Sequence, residues 1–487
     1  MSQRRAEAFG QPLVPHVSHT IPFMTLYPKI VSTLLFPLHE HFKGHDTPGI
    51  LRELERSQWY SQDHLADLQM ARLRNMLVAV SNSVPFYRKH FRANGLTIAD
   101  FVTRDGLNAL PLIDKNVIRS NFDEWKAEDG GALARHSTSG SSGEPLSFLL
   151  GSHRISFDIA AKWRATRWWD VDIGDREMVL WSSPLEIGAQ DRLRALRDRL
   201  FRSRLVPARD LSPDRIDRIL ADIRTFRPRM LFGYPSALSR IAFRARERSL
   251  RMDDVGIRVA FCTSEVLRPE WREAIGQVFG CGVANEYGAR DAGFIARECQ
   301  HGGLHVTAEE VIVEVVDDDG KRLQPGTEGD IVITNFAGPE FPFIRYRTGD
   351  RGVLSDARCA CGRGLPLIQS ISGRTNDGLV AADGSWVHGS AINHALRELR
   401  DLEAYRIVQE SRQYIRITLA TRTPLPDAVR SALTRHVHTL LGASVQVEIA
   451  QLPEIPPEPN GKFRHIICNV ERGQSEPTDN VGAQENL

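Results

Sequence analysis

The 487-residue chain is short of several things that would have decided its class at once. It has almost no charge imbalance: 62 Lys and Arg against 61 Asp and Glu leave a formal net charge of +1, which argues against a general nucleic-acid binder. Only six cysteines are scattered through it, too few and too uneven for a secreted disulfide scaffold. No clean apolar run reaches the ~20 residues of a membrane-spanning helix. The nearest, IPFMTLYPKIVSTLLFPL at residues 21–38, carries three prolines and Lys29, lacks a cleavage site after it, and reads as a buried N-terminal helix. The nucleotide loop Gly-x-x-x-x-Gly-Lys-Ser/Thr is missing, and so is any internal repeat. Together these exclusions leave a cytoplasmic globular protein long enough for two or more domains.

What is present is a strand–helix alternation. Residues 49–95 read as helical, with Leu65, Leu68, Leu73, Met76 and Val80 on one stripe. MVLWSS (178–183), RMLFG (229–233), RVAFCT (258–263) and GVANEY (282–287) are short apolar runs, and helical stretches such as PSALSRIAFRARER (235–248) lie between them. This predicts an α/β domain with a largely parallel sheet. After Glu309 the texture becomes hairpin-like: EVIVEVVDDDGKRL alternates about an Asp-Gly turn, and GDIVITNF follows as a partner strand. Near Gly373 a second boundary opens a small α+β unit, read as helix (GSAINHALREL), hairpin, helix and strand. The expected division is an N-terminal extension (1–48), a large domain (49–372), a small mobile domain (373–471) and a polar tail (472–487) expected to be disordered.

One segment fits none of these elements. HSTSGSSGEPLSF, residues 136–148, places five hydroxyl residues and two glycines between Ser137 and Glu144. Glycine costs roughly 1 kcal/mol against alanine in a helix, and serines there compete for backbone hydrogen bonds. Such a segment is either a surface linker or a phosphate cradle, in which amides and hydroxyls donate to anionic oxygens.

The loop is followed in order by YGARD (287–291), YRTGD (346–350), SGRTNDG (372–378) and PNGKFR (459–464). Over roughly residues 25 to 470 this set resembles the adenylate-forming acyl/aryl-CoA ligases. VPFYRKHF, LPLIDKNVIRSNF, GYPSAL and CACGRGLPLI are similar to the branch of phenylacetate–CoA ligase and the CapK-like capsular polysaccharide proteins. The resemblance implies a large N-terminal α/β domain with mixed sheets and a small mobile C-terminal α+β domain. It also implies ATP-dependent conversion of a small carboxylic acid to an acyl-adenylate, then transfer to coenzyme A. Ser139, Gly140, Ser141, Ser142 and Gly143 would then embrace the β,γ-phosphates, and Tyr287 with Gly288 would lie against adenine. Asp291 takes the acidic place that handles magnesium, Asp350 holds the ribose hydroxyls, Arg374 is the hinge arginine, and Lys462 reaches the α-phosphate and the substrate carboxylate.

Segments 232–236 and 261–266 are expected to line the acid pocket, with Phe232, Tyr234 and Ser264 among its residues. The two aromatics suggest a flat acid. Departures from the common pattern are Leu146 in place of lysine after Pro145, Arg290-Asp291 in place of threonine–glutamate, and Asn376-Asp377 without a following lysine–glycine. The first reduces charge support at the loop, the second shifts the magnesium contact, and the third bears on thiolation more than on adenylation, so transfer to an amine, a hydroxyl or a carrier protein stands as the alternative. A nucleotide-binding protein without turnover is a third reading, opposed by the retained Lys462, Asp350 and Tyr287. Association as a homodimer is left open. Cys299, His305, Cys359 and Cys361 offer a tetrahedral zinc set, which some members of the branch carry; His301 rivals His305 as the ligand.

Overall fold

The computed structural model describes residues 26–138, 146–181, 192–208, 211–374, 378–388, 396, 399, 402–421, 423–458 and 463–470. Strands β1 (Ala134–Ser137) and β2 (Ser147–Leu150) form a separate antiparallel hairpin. The strands that follow are β3 (Glu177–Trp181), β4 (Ser203–Pro207), β5 (Met230–Gly233), β6 (Val259–Thr263), β7 (Gly282–Ala289) and β8 (Gly293–Glu298). They continue with β9 (Leu304–Val306), β10 (Val311–Val316), β11 (Glu328–Asn335), β12 (Tyr346–Ser355) and β13 (Leu367–Arg374). From β3 to β13 they form one eleven-stranded sheet in the order 10-11-12-13-9-8-7-6-5-3-4.

Half of this sheet is parallel because both its faces are covered. On one face Leu180, Leu231, Ala260 and Cys262 pack against helices Pro213–Phe226, Pro235–Glu247 and Pro269–Phe279. Each of these helices opens on a proline, whose missing N–H costs nothing in the first turn. On the other face Met230, Val259, Phe261 and Ala284 meet Trp169 and Val171. The sequence placed the change to antiparallel pairing after Glu309. It comes earlier, at β8, which folds back on β7 with Tyr287 opposite Ala296. The expected hairpin about Asp319-Gly320 is reduced to a single bridge, Val316 to Arg322, and the full partner of β10 is β11.

Beyond Arg374, β14 (Gly378–Val380) pairs with β15 (Trp386–His388). Strands β16 (Leu402–Ser411), β17 (Tyr414–Thr421), β18 (Gln446–Leu452) and β19 (Ile466–Cys468) form a four-stranded sheet in the order 18-17-16-19, packed on helix Asp427–Leu441. The architecture is thus a large mixed α/β domain followed by a smaller α+β domain. The expected helix GSAINHALREL and the polar tail fall largely or wholly outside the described residues.

At the N-terminus one correction is needed. A helical run of Leu26–Ile30, a π turn Val31–Leu35 and Phe36–Phe42 was expected to be buried. Only its inner side is: Val31 and Phe36 pack with Phe157, Ala160 and Ala161, whereas Leu26, Leu34 and Phe42 are exposed. Apolar composition announces a helix that buries something, but not on how many sides.

Helix Ser152–Arg167 is anchored from below by two buried ion pairs, Arg154 Nε to Glu310 Oε1 at 3.0 Å and Arg164 Nη1 to Glu309 Oε1 at 2.7 Å. Ser57 also donates to Glu309, joining helix Thr47–Ser57 to the same point. Glu309→Ala leaves Arg164 buried without its counter-charge, and urea unfolding is expected to show a loss of about 3–5 kcal/mol. Replacing both partners, Arg164→Met with Glu309→Leu, is expected to cost less than the single change.

Candidate functional site

The motif residues gather where strands of the large sheet end. Tyr287 and Gly288 lie on β7, Asp291 in the turn into β8, and Asp350 on β12. The Tyr287 hydroxyl donates to Asp350 Oδ2 at 2.9 Å and lies 3.3 Å from Thr348 Oγ1, while the Asp350 amide donates to that same Thr348 oxygen at 3.1 Å. Burial, reinforced by the Asp350 charge, pushes the Tyr287 phenol far above its ordinary range, so it remains a donor. Asp350 stands opposite Arg374 in the β12–β13 register. Three residues named from separate motifs therefore converge.

Asp291 is buried. Its Oδ2 accepts from the Tyr346 hydroxyl at 2.6 Å and its Oδ1 from the Ala292 amide at 3.1 Å. Tyr346, the first residue of YRTGD, was not singled out from the sequence. The motif does contain it, but only the fold shows that it reaches across to the other motif's carboxylate.

The hydroxyl-rich segment is the tip of the β1–β2 hairpin. The Thr138 amide donates to Leu146 O at 3.0 Å, and the Leu146 amide donates to Thr138 Oγ1 at 3.0 Å. Phe148 packs on Phe343 at 6.0 Å and anchors the hairpin to the core. The tip itself, with Ser139, Gly140, Ser141, Ser142 and Gly143, lies outside the described residues, as do Lys462 and the side chain of Arg374.

Phe232 and Tyr234 leave β5 beside a third ring that sequence reasoning missed. Trp181, at the end of β3, stacks on Tyr234 at 4.6 Å and on Phe232 at 5.9 Å. The only signal was an aromatic closing the run MVLW. Ser264, just past β6, is exposed with φ of 70°, a left-handed conformation that costs a non-glycine residue about 1–3 kcal/mol. The next residue ties the two domains together: Glu265 accepts from the Ser236 amide at 3.1 Å and from the Phe463 amide at 2.7 Å. Phe463 is the neighbour in sequence of Lys462. In the same stretch the Trp271 indole donates to Glu403 O at 3.1 Å, and the Arg268 guanidinium lies 4.5 Å over the Tyr405 ring.

The cysteine set assembles beyond the other end of β8, where Cys299 follows Glu298. The ligand atoms of Cys299, His305, Cys359 and Cys361 all lie within 4.8 Å of one another, and His301 is not among them. Cys361 Sγ is 3.2 Å from His305 Nε2, and Cys299 Sγ is 3.6 Å from Cys359 Sγ. Burial pulls His305 down to about 4, holding a neutral imidazole, and pushes the Cys299 thiol up to about 12. A thiolate there requires a nearby positive charge. A Cβ at Gly303 would stand 2.7 Å from Cys359 Sγ and 3.1 Å from His305 Nε2, so a residue without a side chain is what lets the four groups close.

Two family matches follow the same layout: an AMP-binding enzyme domain over residues 138–337 and a CapK C-terminal domain over residues 379–469. Fold and site together define an adenylate-forming ligase. The phenylacetate-coenzyme A ligase of Thermus thermophilus is 23% identical over 440 residues, spanning 83% of this chain and 97% of that one. Protein CapK of Staphylococcus aureus is 22% identical over 428 residues, spanning 83% and 90%. Its two matched domains are those of the adenylate-forming superfamily, and along most of its length the chain is similar to the phenylacetate–CoA ligase and CapK-like branch. In fold it is similar to 2-hydroxyisobutyryl-CoA ligase in the postadenylation state, with a TM-score of 0.70 at 20% identity over 85% of this chain and 91% of that one. No helix among the described residues is long and apolar enough to cross a membrane.

Tyr346→Phe removes the hydroxyl that donates to the buried Asp291 carboxylate. Chemical denaturation is expected to show a loss of about 1.5–3 kcal/mol, the usual worth of a hydrogen bond to a charged group.

Proposed function

We propose that the protein joins a small carboxylic acid to AMP, releasing pyrophosphate from ATP, and then passes the acyl group to the thiol of coenzyme A, releasing AMP. The observation that carries this reading is the convergence of Tyr287, Asp350 and the Arg374 strand position at one place. The similarity to phenylacetate-coenzyme A ligases along most of the chain supports it. Residues 49–372 would form the adenylation domain and 373–471 the lid.

In this reading Tyr287 offers its ring to adenine, and Asp350 accepts from the ribose hydroxyls. The hairpin tip, with Ser139, Ser141, Ser142 and the two glycines, donates to the β,γ-phosphates. Magnesium, when bound, would neutralise phosphate charge, with Asp291 as its carboxylate; Tyr346 fixes that side chain's orientation. Arg374 would contact the nucleotide from the hinge. Lys462 would place its cation between the acid's carboxylate and the α-phosphate, where negative charge grows as pyrophosphate leaves. Such a group typically contributes about 3–4 kcal/mol to the transition state. Glu265, by holding the Phe463 amide, keeps the segment carrying Lys462 against the large domain. The stack of Trp181, Phe232 and Tyr234 offers a flat wall suited to an aromatic or other planar acid.

A second reading keeps adenylation and changes the acceptor to an amine, a hydroxyl or a carrier protein. The CapK match of the small domain, which contains Lys462, favours it. The cysteine cluster would hold one structural zinc ion, since three thiolates and an imidazole complete a tetrahedron and leave no open position.

Lys462→Ala is expected to cut acid-dependent pyrophosphate release by about a hundredfold or more at an unchanged melting temperature. Full activity in this variant would overturn the mechanism. Wild-type protein that forms adenylate but never a thioester would favour the second acceptor class. Elemental analysis of protein purified without chelators should find about one zinc per chain, and Cys359→Ser should lose both the metal and thermal stability. Metal-free wild-type protein of full stability would remove zinc.

A further inference from the structure

The N-terminal helix carries an outer face that the adenylation reading does not use. Leu26, Ile30, Leu34, Leu38 and Phe42 recur every fourth residue, and all are exposed: Leu26 to 74%, Leu34 to 60% and Phe42 to 79%. Steps of four residues drift about 40° around an α-helix. The π turn at Val31–Leu35 rotates less per residue and takes some of that drift back, keeping the stripe on one side. The helix is held firmly from behind. Phe36 packs on Trp163 and Phe201 at 6.4 and 6.1 Å. Gly174, at φ of 91°, lets the helix approach so closely that a Cβ there would stand 2.7 Å from the Val31 Cβ.

Helix Arg192–Leu200 lies alongside. The Tyr27 hydroxyl donates to Leu200 O at 2.8 Å, and the Arg202 guanidinium covers the Tyr27 ring at 4.0 Å. This helix adds exposed Leu196 and Leu200, so the two helices hold seven of the thirteen large apolar side chains exposed among the described residues. Such clustering marks an interaction surface rather than scattered surface apolarity. The charge along the second helix and the strand after it is mostly positive, with Arg197 paired to Asp198 and Arg204 to Asp222. Residues 192–204 contain six arginines and one aspartate, in a chain of net charge +1. Lys29 and Lys43 lie on the N-terminal helix, whose one acid, Glu40, is buried and bonded to His45 and Thr47.

We infer that this face seats the protein on an anionic lipid surface, the apolar stripe entering the headgroup boundary and the basic residues meeting the lipid phosphates. The geometry is that of an interfacial helix lying in the membrane plane, not crossing it. A two-fold contact with a second copy would bring two arginine-rich segments together, like charge against like. This disfavours self-association as the use of the face. The proposal is independent of which acid or acceptor the enzyme uses.

The test is cosedimentation of the full chain with vesicles of phosphatidylcholine alone and with about a quarter phosphatidylglycerol, at about 0.1 M salt. Binding is expected to be several-fold greater on the anionic vesicles and to weaken as salt rises. Leu34→Asp with Leu38→Asp should abolish it, and Arg197→Glu with Arg199→Glu should remove the preference for anionic lipid. Both variants should keep the wild-type melting temperature and pyrophosphate release with a soluble acid. A full chain that stays in the supernatant with both vesicle types would overturn the proposal. So would binding that the leucine changes leave intact. Light scattering that shows a dimer dispersed by Leu34→Asp would instead assign the face to a second copy.

Discussion

Two adjacent glutamates beneath one helix carry much of the molecule's order. Glu309 and Glu310 are almost fully buried, and helix Ser152–Arg167 meets each with an arginine. Burying four charged groups is costly, and the attraction between them repays it only where further hydrogen bonds complete the arrangement. Here they do. Asn335 donates to Glu310 Oε1 at 2.9 Å and to Ala292 O at 3.2 Å, and Ser57 and Arg72 reach Glu309 through its side chain and its carbonyl. Arg154 also stands so close to Gly293 that a Cβ there would meet its Nη2 at 2.4 Å. The turn carrying Asp291 is thereby clamped to the helix on one side and to β11 on the other. The placement of Asp291 therefore rests on this clamp as well as on the strands that flank its turn.

The motifs themselves could be read from the sequence because each is short and local. A tyrosine–glycine at a strand end, an aspartate after a glycine, and a hydroxyl-rich hairpin tip keep their spacing whatever surrounds them. The apolar runs of β3, β5, β6 and β7 were readable for the same reason, since a strand buried on both faces is apolar throughout. Pairing was not. Nothing local tells β8 to fold back on β7, or tells β13 to lie beside β9, so two textures in the sequence became one sheet. Tyr346, Trp181 and Glu265 were missed likewise, because their significance lies in partners 55, 53 and 198 positions away. The N-terminal helix shows the converse: its apolar residues were visible, but their distribution between an inner and an outer side depended on Gly174 and Phe201.

The stretch from Ser264 to Trp271 joins the large domain to the small one. It begins on a strained backbone, carries Glu265, and ends on an indole bonded to the small domain. His465 sits in this contact, 5.4 Å from Trp271 and 4.6 Å from Tyr405. Burial, with Arg268 nearby, pulls it down to about 3, so it remains neutral and serves as packing, accompanied by a hydrogen bond to Tyr405 O. The contact thus combines packed rings with charged groups: the Glu265 carboxylate on the Phe463 amide and an ion pair between Arg240 and Glu454.

The strand order also bears on how the chain comes together during synthesis. Strands β3 to β7 are laid down so that most meet a neighbour already made, and the parallel half of the sheet can close as it emerges. β9 cannot. Its edge toward β13 waits until residue 367 has been made, some sixty residues later, and β12 must find both β11 and β13 in the same interval. Until then the edge of β9, with Leu304 and Val306, stays open in a nascent chain. The half of the sheet that carries Asp350 is therefore the half that ripens last, and it is where a slowed or truncated chain would first cling to its neighbours.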